Sequence, residues 1–262
     1  GLRRSFRPEA FVGRQTVLLK KNSAANPVPG RITLLDQYRG LALLAMLCYH
    51  TLYDLAILFG CRMPWFYTDG MRAFQVSIGV SFVFISGVSA QFSRSPARHG
   101  LQIFAVAMGM TLATALVMPS QLIVFGVLHL LGVCSLLFAL IRRFWQRIPW
   151  AVGFFLGLGL FILTYYIPDG FLLARLIPLP EGLYQTSWLF WLGLPSSSFS
   201  SADYYPLIPW LFLFLCGAAA GSWLNKRRTS TQNPLPGIWT NSRLRPLAWV
   251  GRHTLIVYVL HQ

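Results

Sequence analysis

The sequence predicts an all-α polytopic membrane protein, a bundle of about seven transmembrane helices with a cytoplasmic N-terminus. Three observations carry this expectation. Hydrophobic residues make up 55% of the 262 and charged ones only 11%, where a soluble domain carries about a quarter charged residues. Several apolar runs are long enough to cross the roughly 30 Å hydrocarbon core of a bilayer. The 22 Lys and Arg residues, set against 7 Asp and Glu, cluster at the ends of those runs. In a soluble chain a net charge of +15 would point to nucleic acid. Here the placement is the one membrane orientation demands, so the lipid bilayer is the expected partner and nucleic acid is not.

The elements follow in order. Residues 1–30 form a basic cytoplasmic tail, and 31–262 form the transmembrane domain. The spans are read at about 33–58, 72–92, 101–118, 121–141, 149–167, 205–224 and 245–262. The third and fourth are joined by a very short turn around Pro119-Ser120. Segment 183–194 is apolar and aromatic but too short to span, so it is read as interfacial or re-entrant.

Orientation comes from the basic residues. Arg3, Arg4, Arg7, Arg14, Lys20, Lys21 and Arg31 precede the first span. The same side receives Arg94, Arg98, Arg142, Arg143, Arg147, Lys226, Arg227, Arg228, Arg243 and Arg245. The other side has Arg62, Arg72 and Arg175, and it holds the acids Asp54, Asp69, Asp169, Glu181 and Asp203. The positive-inside rule therefore makes the N-terminal side cytoplasmic.

No cleavable signal peptide is read, because no adequate apolar core follows Arg3-Arg4. The chain starts without methionine and stops at His261-Gln262, which points to truncated ends. Cys48, Cys134 and Cys216 fall inside spans and Cys61 stands alone in a loop. With no CxxC and no ligand spacing, no metal is expected.

The first span, RITLLDQYRGLALLAMLCYHTLYDLAIL, is the most informative. At about 100° per residue, Asp36, Arg39, Leu43, Met46, His50 and Asp54 share one stripe roughly 80° wide. Ionisable groups in a membrane segment are costly and face a bundle interior or watery cavity, so this helix is expected to line a site. His50, His129 and His261, from three distant spans, are placed in the outer half of the membrane. An imidazole beside a carboxylate can serve as general base or nucleophile. Asp54, one turn beyond His50, is one candidate partner, and Asp203 is a second unless it caps the sixth helix. His99 is read as solvated in a basic loop.

Arg39 lies about 16 Å before His50 along the helix. Two readings stand: a structural i, i+3 pair with Asp36, or an anion site facing the cytoplasm, with Arg252 as a second arginine. The small residues of the second span (Gly79, Ser81, Ser86, Gly87, Ser89, Ala90) and of the sixth (Gly217 to Gly221) are read as tight helix packing. No serine has a Gly-x-Ser-x-Gly elbow.

Five segments occur in order: LDQYRGLALLAMLCYH, FVFISGVSA, FGVLHLLGV, YYPLIPWLFLFLCGAAAG and VGRHTLIVYVLHQ. Together, from about Arg31 to Gln262, they resemble the bacterial relatives of the heparan-α-glucosaminide N-acetyltransferase catalytic domain. The opening Asp-x-x-Arg-Gly with a later His is also similar to the acyltransferase-3 group. The resemblance implies transfer of an acyl group, acetyl in particular, from cytoplasmic acyl-CoA to a sugar amine or hydroxyl across the membrane. Asp36, Arg39, His50, His129 and His261 are its motif positions. The lysosomal member has Asn at the position of His50 and its reactive His in the following loop, whereas loop 59–71 has no histidine. It also has a luminal N-terminal domain that is not seen here, so heparan does not carry over as substrate.

The expected site is thus His50, Asp54, His129, His261 and Asp203 for chemistry, and Asp36, Arg39 and Arg252 for the acyl-CoA donor. The expected location is the bacterial cytoplasmic membrane. The competing reading is a transporter or flippase with a proton-coupled polar stripe.

Overall fold

The computed structural model describes residues 32–230, 235–239 and 244–261, apart from the side chains at positions 238 and 261. The tail 1–30 and the side chain of His261 lie outside the described residues. The chain is helical as expected. Helix α1 spans Thr33–Tyr53 and runs into a π-helical turn, Asp54–Leu58. Then come α2 (Asp69–Phe92), α3 (Pro96–Val117), α4 (Val127–Trp145), α5 (Trp150–Thr164) and α6 (Leu207–Thr229). Among the described residues these six segments, α1 with its π turn and α5 continued to Asp169, are long and apolar enough to cross a membrane, which makes the protein an integral multi-pass one. Their outer faces bear large apolar side chains, such as Leu116 at 75% exposure and Leu140 at 81%. In water such faces would be untenable; in lipid they need no cover.

The last expected span differs. Residues 245–261 form two eight-residue helices, α7 (Arg245–Arg252) and α8 (Thr254–His261), broken at His253. At the break the His253 ring packs against Trp249 and its Nδ1 lies 2.9 Å from the Trp249 carbonyl oxygen. Segment 183–194 takes in the end of one short 3₁₀ turn, Glu181–Tyr184, and all of another, Phe190–Leu192, and a small hairpin, β1 (Phe171–Leu172) with β2 (Ile177–Pro178), precedes it.

The centre of the bundle is the α2–α6 pair. α5 flanks α6, α1 flanks α2, α7 lies along α1, and the α3–α4 hairpin packs through α4 onto α2 and α6. A Cβ on Gly87 would overlap the Phe214 carbonyl, and one on Gly217 would overlap the Phe84 carbonyl. The small-residue stripes of α2 and α6 are therefore spent on each other, which lets the two backbones approach. The buried core, including Leu43, Val83, Leu130, Phe138 and Phe214, lies around this pair. Arg142, at the end of α4, donates to the carbonyls of Gln91 and Ser93 at the end of α2. A cation thus satisfies carbonyls that have no partner within their own helix.

Candidate active site: two stacked cavities

The polar stripe of α1 faces the bundle interior. Leu43, in the middle of that stripe, has no exposed surface, and two cavities lie along the same helices. The first, about 430 Å³, is at the acidic end of the bundle. His50, Asp54, Tyr49 and Tyr53 line it from α1 and the π turn, Gln75 and Gly79 from α2, and Gln121, Asp203 and Tyr205 from the connections. The second, about 380 Å³, is at the basic end. It is lined by Arg39, by Ser86, Ser89 and Ser93 of the α2 segment, by His99 and Ser135, and by Arg252 and Thr254. Among the described residues the first is lined by two carboxylates and no Lys or Arg, the second by two arginines and no carboxylate.

His50 and Asp54, one turn apart on the same stripe of the helix, both reach the first cavity. The π-helical turn begins at Asp54. The His50 ring packs edge-on against Tyr49 at 5.9 Å. Tyr53 Oη donates to Gln121 Oε1 at 3.3 Å.

Asp203 corrects a sequence expectation: it caps α4, not α6. Its Oδ2 accepts the Val127 N–H at 2.9 Å, and a Cβ on Gly126 would occupy the space of that carboxylate. The whole 201–205 strip is laced to 122–127. Ala202 N–H donates to the Leu122 carbonyl, Val124 N–H to Ser201 Oγ and Tyr205 N–H to the Phe125 carbonyl. Burial raises the Asp203 carboxyl to about 6, although the Val127 N–H pulls the other way. Burial, with Asp203 and Tyr49 nearby, likewise pushes the Tyr205 phenol up, so it remains an O–H donor.

His129 stands nearer the start of its helix than expected. α4 begins at Val127 rather than near 121, because 118–126 holds a 3₁₀ turn, Pro119–Gln121, and an extended stretch. His129 is therefore in the first turn of α4 and is 3% exposed. Its Nδ1 accepts the Gly126 N–H at 3.3 Å, and its Nε2 lies 3.2 Å from Thr111 Oγ1. Thr111 Oγ1 in turn donates to the Ile123 carbonyl. This network assigns the Nε2–H tautomer, with both ring nitrogens engaged. His129 lies outside the lining of both cavities.

At the basic end, Arg39 Nη1 is 3.5 Å from Asp36 Oδ1 and 3.4 Å from the Gly251 carbonyl, and Nη2 donates to Ser89 Oγ. Arg39 thus makes the structural pair with Asp36 and also lines the larger cavity. Asp36, 5% exposed, lines a smaller side cavity of about 230 Å³ with Arg39 and Arg228, not the 380 Å³ cavity. Arg252 lines the larger cavity and donates through Nε to the Ala248 carbonyl at 3.1 Å.

A family model describing the heparan-alpha-glucosaminide N-acetyltransferase catalytic domain matches residues 31–262. The chain belongs to that family. It is therefore a membrane acyltransferase of the N-acetyltransferase type. No curated protein and no solved structure matches it.

Sequence reasoning placed His99 in a solvated loop; its side chain is exposed, but it stands on a helix and lines the basic cavity. In this acetyltransferase-family domain α3 starts at Pro96, not 101, so His99 lies in its first turn and lines the basic cavity with Ile103, one turn on. The signal was available: Ser95-Pro96 is a capping residue followed by proline at the first helical position. The tyrosines of the first cavity carried no comparable signal, because aromatic residues are spread over the whole chain.

Proposed function

We propose that this protein transfers an acyl group, acetyl in the simplest case, from acyl-CoA at its basic face to an amine or hydroxyl of a sugar or glycan at its acidic face. The observation that carries this reading is the pair of stacked cavities with opposite chemistry. Arg39 and Arg252 offer the charge and planar donors that suit a phosphorylated nucleotide, with His99 beside them. The positive-inside rule makes that face cytoplasmic, where acyl-CoA is made, and a bacterial cytoplasmic membrane is the setting that fits. Arg39 and His50 are about 16 Å apart along α1, so an extended thioester arm rising from the basic cavity points at His50.

In the first cavity His50 takes the proton of the acceptor N–H or O–H as that atom bonds to the thioester carbonyl carbon. The C–S bond then breaks and the thiolate leaves with the nucleotide, taking up a proton. Asp54 or Asp203 orients or charge-stabilises the imidazolium. Direct transfer and a transient acyl-histidine use the same residues. His129 holds the start of α4, and so the position of Asp203, through the Gly126–Val127 turn.

Radiolabelled acetyl-CoA, presented to the purified full chain in nanodiscs with glucosamine as acceptor, tests this. Labelled N-acetyl product or enzyme-dependent release of the thiol supports it. Radiolabelled sugar crossing sealed vesicles without thioester consumption would favour the transporter reading instead.

A further inference from the structure

The two cavities share three lining residues: Phe82 of α2, Val127 at the start of α4 and Tyr258 of α8. Each is nearly closed off, at 6%, 8% and 5% exposure. They form a septum one side chain thick between the basic and the acidic compartments. On the α2 side the cavity-facing residues step through it in helical register, with Gln75, Ile78 and Gly79 on one side and Ser86, Ser89 and Ser93 on the other.

The three walls differ in rigidity. Phe82 rides on α2, which is locked to α6 through Gly87 and Gly217. Val127 is pinned by its own N–H to Asp203. Tyr258 sits on α8, an eight-residue helix set off from α7 by the break at His253. Phe82 and Val127 are thus held by contacts to neighbouring segments, and Tyr258 is buried beside them.

We infer that this septum selects the acyl group by cross-section. The inference rests on the proposed donor reading. An acyl group carried on a CoA arm from the basic cavity must lead through the septum to reach His50. A straight acyl chain is no wider than the arm behind it, so it passes wherever the arm can follow. A chain branched next to the thioester carbonyl is wider by a methyl group, and it meets Phe82 and Val127, which cannot retreat without moving α2 or uncapping α4. The protein therefore accepts straight short acyl groups and rejects branched ones, and the selecting residues are Phe82 and Val127. One methyl group in an apolar constriction is worth about 10-fold or more in discrimination.

The test uses the full chain in nanodiscs with acetyl-, propionyl-, butyryl- and isobutyryl-CoA, with glucosamine present, and follows thiol release. The readout is the isobutyryl-to-butyryl rate ratio, which cancels changes in overall activity. The native protein is expected to disfavour isobutyryl by about 10-fold or more, and Val127→Ala to recover most of that difference. Val127→Ile is expected to deepen it. Phe82→Leu supplies a second widening variant should Val127→Ala fail to fold. A ratio near one in the native protein, or an unchanged ratio in both widening variants while acetyl-CoA is consumed, overturns the septum as selector and leaves the donor reading intact. Consumption of none of the four thioesters, by transfer or hydrolysis, overturns the donor reading and this inference with it.

Discussion

Replacing Asp203 by Asn separates what this residue does for the fold from what it does for the site. The carboxyl lies against the N-terminus of α4, with Oδ2 2.9 Å from the Val127 nitrogen, and burial raises it from the ordinary 3.8 to about 6. A carboxyl raised in the folded state binds its proton more tightly there than in the unfolded chain. Stability is therefore highest below about pH 4, falls as pH rises through the 4–6 window, and is flat above it. At about 1.4 kcal/mol per unit the ionised form costs the fold about 3 kcal/mol. Partial exposure and screening reduce this to about 1–3 kcal/mol. Asn keeps an oxygen for the Val127 N–H and carries no charge, so the Asp203→Asn protein is expected to be more stable at pH 7.5. At about 2–4 °C per kcal/mol for a chain of roughly this size, the midpoint rises by several degrees. Asp203→Ala also removes the charge but loses the cap, worth about 0.5–2 kcal/mol, and gains less or nothing. Tryptophan fluorescence melts in detergent from pH 4 to 8 read this directly. An Asp203→Asn protein less stable than the native one at pH 7.5, or a native midpoint that does not fall between pH 4 and 6, refutes the reasoning. If Asp203 also serves the chemistry, the more stable variant should turn over more slowly.

His50→Gln keeps hydrogen bonding but cannot take a proton, so turnover should fall by about 10²–10⁴ in a protein with an unchanged melt; near-native turnover would make His50 structural. Arg39→Lys keeps charge but loses the planar fork, and the KM for acetyl-CoA should rise more than kcat falls, as read from initial rates. His129→Ala leaves the buried Gly126 N–H without its acceptor, a loss of about 1–3 kcal/mol, and should lower the melting midpoint far more than His50→Gln does. An impermeant thiol probe added outside cells should label Ser198→Cys and spare Ser230→Cys; the reverse would place the basic cavity outside.

The sequence by itself determined the membrane class, the existence and rough positions of six spans and the inward-facing stripe of α1. These are properties of runs and of helical period, which are local and survive any packing. It also identified α2 and α6 as close-packing helices, because small residues at helical spacing leave nothing else to bury. Only the tertiary structure decided the rest. The shift of α4 to Val127 moved His129 from about two turns inside its helix to the first turn, since residues 122–127 are tied by hydrogen bonds to 201–205, some 80 positions away. The same pairing turned Asp203 toward α4. His99 joined Arg39 and Arg252 because α3, α1 and α7 meet at one end of the bundle. The septum of Phe82, Val127 and Tyr258 unites three helices whose residues look like ordinary core positions when read one at a time. A cavity is a property of what several helices leave between them, and no periodicity along one chain segment records it.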